Sequence, residues 1–124
     1  MKIRIKGNSV RLRLTKPEVD TFKQTGVVAK AINFGSTQMH YKLQVTNSNE
    51  QLTADYNNNT ITVYMPENLR HDWTTTEWVG YDANMPLPNG ESLFILVEKD
   101  FKCLDDTTED QSDMYENPLA HLHK

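Results

Sequence analysis

Residues 2–14 read KIRIKGNSVRLRL: two strictly alternating runs, 2–6 and 10–14, on either side of Gly7-Asn8-Ser9. Successive side chains of a strand point to opposite faces, so each run reads as a half-buried strand. Gly and Asn tolerate the positive φ of a tight connection, which makes the pair a hairpin. Its apolar face carries Ile3, Ile5, Val10, Leu12 and Leu14, while Lys2, Arg4, Lys6, Arg11 and Arg13 project from the other.

Beyond the hairpin a helix is signalled. Thr15 and Glu18 have capping-box spacing, Pro17 suits the first turn, Val19 and Phe22 share a face, and Gly26 is a terminator. Strands are expected at 27–34 and 38–46; in the second, Met39, Tyr41, Leu43 and Val45 alternate with polar residues. A second hairpin places Leu52, Ala54 and Tyr56 before Asn57-Asn58-Asn59, then Ile61, Val63 and Met65. Pro66 opens a helix to about Thr76, with Leu69 and Trp73 as its buried stripe. A short strand is expected at 77–83. The stretch Met85-Pro86-Leu87-Pro88-Asn89-Gly90 reads as a connection, because proline cannot donate to a ladder. Leu93-Phe94-Ile95-Leu96-Val97 is apolar without a break, the pattern of a strand covered on both faces.

These elements predict an α+β domain: a mostly antiparallel, curved or partly closed sheet of about seven or eight strands with two short helices. The strand-strand-helix passages 1–26 and 51–76 have similar layouts, which suggests a structural pseudo-repeat. At 124 residues the chain has room for one core. The domain is expected to span 1–104 and to give way to an acidic, partly ordered tail at 105–124.

Charge is unevenly distributed. Residues 1–30 have a local balance of about +6 and residues 98–116 about −6, within a formal net charge of −4. The basic face of the hairpin is therefore a candidate anion site, with Arg4, Lys6, Arg11 and Arg13 as its clamps. Nucleic acid is a poor fit, since the ribbon has no aromatic platforms and the acidic remainder repels a long polyanion. An acidic protein segment or a small anionic ligand fits better.

Other chemistry is weakly signalled. His40, His71, Cys103, His121 and His123 lack the spacing of a metal site, so neither metal nor other cofactor is assigned. Cys103 reads as a small buried hydrophobe, and Asp105-Asp106 and Glu109-Asp110 lie where neither position nor pKa is controlled. No phosphate loop or nucleophile elbow occurs, so no catalytic residue is named and enzymatic activity is left open. No window approaches the roughly 20 apolar residues of a membrane span, no apolar leader opens the chain, and a single cysteine suits a reducing compartment. The expectation is a cytoplasmic protein, monomeric or homodimeric, with no membrane partner.

The segments MKIRIKGNSVRLRLTK and LFILVEKDFKCLD, with the late Asn117-Pro118-Leu119, resemble a family of small uncharacterised bacterial proteins, a domain of unknown function. The resemblance covers most of the chain and implies a stand-alone bacterial protein, without activity, cofactor or catalytic residue to carry over. The alternating cations also resemble the triphosphate tunnel family, whose antiparallel barrels line an anion site with Arg and Lys. That family opens with alternating glutamates, whereas Met1 to Lys6 contains no acid.

Two functions are expected on this basis. One is a binding or interaction module in which the basic hairpin meets an acidic partner, either the chain's own tail or another protein. The other is an enzyme or sensor for a small phosphorylated ligand. Ordering a tail costs about 1–2 kcal/mol per residue in backbone entropy, while exposed ion pairs return about 0–1 kcal/mol each. A docked tail therefore needs apolar anchors, for which Tyr115 and Leu119 are the expected pair.

Overall fold

The computed structural model describes residues 1–48 and 50–101. Eight strands and two helices follow one another as β1 (Lys2–Ile5), β2 (Ser9–Leu14), α1 (Lys16–Thr25), β3 (Val27–Asn33), β4 (Gln38–Thr46), β5 (Thr53–Asn57), β6 (Thr60–Pro66), α2 (Glu67–Thr75), β7 (Gly80–Pro86) and β8 (Ser92–Lys99). The class is α+β, as expected. The strands divide into two four-stranded sheets, ordered β1-β2-β8-β7 and β3-β4-β6-β5, and neither closes into a barrel. Pairing is mainly antiparallel; β2 with β8 and β4 with β6 are the parallel pairs at the two sheet centres.

The order has an internal two-fold. A β-β-α-β-β unit occurs twice, and each sheet joins the first hairpin of one unit to the second hairpin of the other. The ladders give the correspondence residue by residue. Leu12 pairs with Val97 in one sheet as Val63 pairs with Leu43 in the other, and Arg4 opposes Arg11 as Asp55 opposes Thr62. Loop contacts repeat it: the Phe94 N–H donates to the Asn8 carbonyl at 3.1 Å and the His40 N–H to the Asn59 carbonyl at 2.8 Å. The pseudo-repeat suggested by the layout of 1–26 and 51–76 is thus a property of the whole described fold.

Alternation builds the core. Val10, Leu12 and Leu14 face inward from β2, Val63 and Met65 from β6, Leu43 from β4, and Ile95 and Val97 from β8, and all are buried. Helix α1 contributes Val19 and Phe22 and helix α2 contributes Trp73. Phe22 and Trp73, counterparts in the two units, meet edge to face with ring centroids 6.0 Å apart, a preferred aromatic geometry.

Local signals place the ends of the elements. Thr15 and Glu18 form the capping box: the Thr15 N–H donates to Glu18 Oε1 at 2.8 Å and the Glu18 N–H to Thr15 Oγ1 at 3.4 Å. Gly26 ends α1 in the left-handed region at φ 82°. Asn58 and Asn59, at φ 54° and 58°, form the tight turn of the second hairpin.

Besides the division of the strands between two open sheets in place of one, three local expectations change. The seventh strand begins at Gly80, not at 77, and runs through Met85 and Pro86, where the sequence predicts a connection. Proline is admissible there because β7 pairs with β8 alone and is an edge strand. The apolar run of β8 is not buried alike on both sides: Ile95 and Val97 are fully buried, whereas Phe94 and Leu96 are half-buried on the outer face. On the hairpin, Ile5 lies on the expected face but beyond the end of the core, and is 59% exposed.

Candidate functional site

The outer face of the β1-β2-β8-β7 sheet carries the predicted cations. In the ladder, Lys2 opposes Arg13 and Arg4 opposes Arg11, so four basic side chains form two cross-strand pairs on one face. Like charges directly opposed across a strand pair are destabilising by a few tenths to about 1 kcal/mol. The two pairs are treated differently.

The first is neutralised from neighbouring strands. Arg13 donates through Nε and Nη2 to Glu98 Oε2 at 3.2 and 3.0 Å, a contact aligned by the parallel pairing of Arg13 with Glu98. Lys2 Nζ lies 3.8 Å from Asp100 Oδ2. The second pair, Arg4 and Arg11, has no ion-pair partner among the described residues. Arg4 and Arg11 line, with Lys2, Ile3, Arg13 and Glu98, a shallow recess of about 140 Å³. Lys6 falls at the turn, where its N–H donates to the Ser9 carbonyl at 3.3 Å, and its side chain is not part of the recess. Of the predicted set, then, Arg4, Arg11 and Arg13 come together and Lys6 stands apart.

The hairpin's own pattern does not carry what β8 adds. Parallel pairing puts Phe94 beside Ser9, Leu96 beside Arg11 and Glu98 beside Arg13, so the basic ribbon is flanked by half-buried apolar side chains and one acid. The alternation within the apolar run carried that signal, since Phe94, Leu96 and Glu98 share one parity.

A second group of charges serves the fold. Glu18 receives the Met1 ammonium and lies 3.4 Å from Lys30 Nζ. Burial raises its pKa, but the hydrogen bond from the Met1 ammonium, those from Thr15 and the ammonium's charge outweigh that and bring it down to about 2. Arg70 of α2 reaches across to α1, donating through Nη1 to the Phe22 and Lys23 carbonyls at 3.3 and 3.2 Å, and through Nη2 to Glu67 at 2.8 Å. It caps the end of the other helix.

His40 lies on β4 and His71 on α2, and among the described residues no three His, Cys, Asp or Glu side chains group as metal ligands would. Cys103, His121, His123, the tail acids, Tyr115 and Leu119 lie outside the described residues. No described helix is long and apolar enough to cross a membrane.

A family model of unknown function, DUF7009, matches residues 1–119. The chain belongs to this family. No curated protein and no solved structure matches it, and with two open sheets the resemblance to triphosphate tunnels gains no support. The match runs through 119, so the family's extent takes in most of the acidic C-terminal stretch as well as the two sheets.

Proposed function

We propose that this protein is an interaction module whose basic sheet face binds an acidic polypeptide segment. The observation that carries this reading is the Arg4–Arg11 pair, without an ion-pair partner among the described residues and held opposite each other where the internally equivalent pair is Asp55 and Thr62. A sheet face that only had to stay wet has no need of opposed like charges, and its counterpart in the same molecule lacks them. An external anion offsets their repulsion and turns the pair into a two-guanidinium clamp for carboxylates. Leu96 and Phe94 beside it suit the apolar side chains of a peptide.

The chain's own residues 105–116 are the first occupant to test. Asp100 leaves β8 with its N–H on the Leu14 carbonyl at 2.7 Å and its carboxylate near Lys2, so the acidic stretch starts beside the ribbon. Another protein's acidic segment has the same chemistry. A small phosphorylated ligand, in an enzyme or sensor, is the second reading. The small recess favours it, but Glu98 in the wall opposes a dianion more than it opposes a single carboxylate.

The test is titration of the full chain with a dye-labelled polyglutamate peptide at low salt. A second form has Asp105, Asp106, Glu109, Asp110, Asp113 and Glu116 converted to their amides. If the chain's own stretch occupies the face, the amide form binds roughly tenfold tighter; if another protein does, the two forms bind alike. In both cases binding weakens with salt and is lost in Arg4→Ala/Arg11→Ala. Salt-insensitive binding, or none in either form, overturns the proposal. Tighter binding of inorganic triphosphate than of the peptide supports the second reading instead.

A further inference from the structure

The two units differ at the corner between helix and third strand. In the first, Thr25 is followed by Gly26 and then β3; in the second, Thr76 is followed by Glu77, Trp78 and Val79 before β7. The Val45 N–H donates to the Gly26 carbonyl and the Lys99 N–H to the Val79 carbonyl, both at 2.9 Å, so Gly26 and Val79 are equivalent. Glu77 and Trp78 are therefore additions to the shared frame.

The enlarged corner is tied down. Trp73 Nε1 donates to the Val79 carbonyl at 2.9 Å, Lys99 Nζ to the Thr76 carbonyl at 2.8 Å, and the Trp78 N–H to Thr76 Oγ1 at 3.2 Å. Yet it holds Trp78 57% and Val79 50% exposed. An indole kept in water by a hydrogen-bonded corner is placed as a contact residue, and tryptophan is prominent among the residues that dominate interfaces.

Its surroundings indicate the partner. The Trp78 and Tyr81 rings lie 6.2 Å apart at 36°, and with Leu69 and Val79 they line an open groove of about 700 Å³. Asp72 and Glu77 also line it, and neither has an ion-pair partner among the described residues. Lys99 faces the same corner and interacts electrostatically with Glu77, but its ammonium donates to the Thr76 carbonyl and lies 5.9 Å from the Trp73 ring, so Asp72 and the outer side of Glu77 are left for a second cation. Aromatic faces beside carboxylates complement a cation with an aliphatic stem, which is the chemistry of lysine and arginine side chains. Because the groove is open and not an enclosed pocket, it suits a chain segment better than a small molecule.

We propose that the groove of Leu69, Asp72, Glu77, Trp78, Val79 and Tyr81 is a docking site for a basic polypeptide segment of a partner protein. The arginine or lysine stem lies on Leu69 and Val79, its charge against Trp78 and Tyr81 and between the two carboxylates. The site stands apart from the basic face and does not depend on what that face binds.

The test is fluorescence anisotropy of a dye-labelled, blocked heptapeptide of alternating alanine and arginine, titrated with the full chain. Saturable binding is expected, weakened roughly tenfold or more by Trp78→Ala and by Asp72→Asn/Glu77→Gln, and largely restored in Trp78→Phe. Because Trp78 is exposed, its variants should melt as the parent does. A peptide attracted only by the acidic C-terminal stretch would bind Trp78→Ala and the parent alike, which overturns the proposal, as does the absence of saturable binding. Equal affinity for free arginine amide would make the site one for a small cation, and the polypeptide assignment would fall.

Discussion

The two sheets of this protein carry the same ladder with different chemistry on its outer row, and in the second sheet the counterpart of Arg11, Thr62, is buried. Across the first, Arg4, Arg11, Leu96 and Asp82 stand in one row; the equivalent row of the second is Asp55, Thr62, Lys42 and Ala29. Beneath these rows the cores correspond: Leu12 and Val63, Leu14 and Met65, Phe22 and Trp73 are buried alike. The comparison separates what the fold needs from what it tolerates. Matched burial is required to close two interlocked units, whereas the cations of one face have no structural counterpart on the other.

The largest effects are expected where the units agree. Phe22→Ala and Trp73→Ala remove the two halves of one aromatic contact, and each should cost about 3–5 kcal/mol in urea unfolding. A large loss for one and little for the other would show that the internal two-fold is not matched in energy.

Next come places where equivalent positions have diverged. Gly80 corresponds to Val27, but a Cβ on Gly80 would lie 2.1 Å from the Val97 carbonyl oxygen. Gly80→Ala should therefore destabilise by about 1–3 kcal/mol through backbone displacement, while Val27→Ala, on a partly exposed side chain, should fall within about 1 kcal/mol.

Glu18 likewise corresponds to Leu69, and of the two described helices only the first carries a capping box. A carboxyl whose pKa is lowered by folding stabilises above its unfolded pKa near 4.5, and that contribution is lost as pH falls from there toward about 2. Melting temperature should therefore drop across that window in the parent and less steeply in Glu18→Gln. The variant should be about 1–2 kcal/mol less stable at neutral pH, having lost charge-assisted hydrogen bonds. Parallel pH profiles would remove Glu18 from this role.

How much of this was legible in the sequence follows from the range of each signal. The hairpin, the capping box, the Asn turn and the shared face of the cations are written within a few residues of one another. The division into two sheets was not, because it depends on β2 pairing with β8 and β4 with β6, contacts between residues far apart in the chain. Pro86 misled for the same reason, since proline marks a connection until the strand is known to be an edge. The site was half legible. Arg4, Arg11 and Arg13 were found by alternation, but Glu98, Leu96 and Phe94 join them only through the parallel ladder, and Lys6 was included by parity although it lies at the turn. The Trp78 corner gave no periodic signal; it emerges as two extra residues once the units are compared.

The smallest effect on stability is also the most direct test of the central claim. Arg4→Asp/Arg11→Thr gives the basic face the residues of its counterpart. Thermal melts of this variant and the parent, both in the amide form and at low salt, each with and without polyglutamate peptide, separate fold from function. If the cations serve an external or tail-borne anion, the amide form of the variant keeps or slightly gains stability, up to about 1 kcal/mol from relieved repulsion, and its peptide-induced rise in melting temperature disappears. A variant that melts well below the parent, or that is still stabilised by the peptide, would contradict the account.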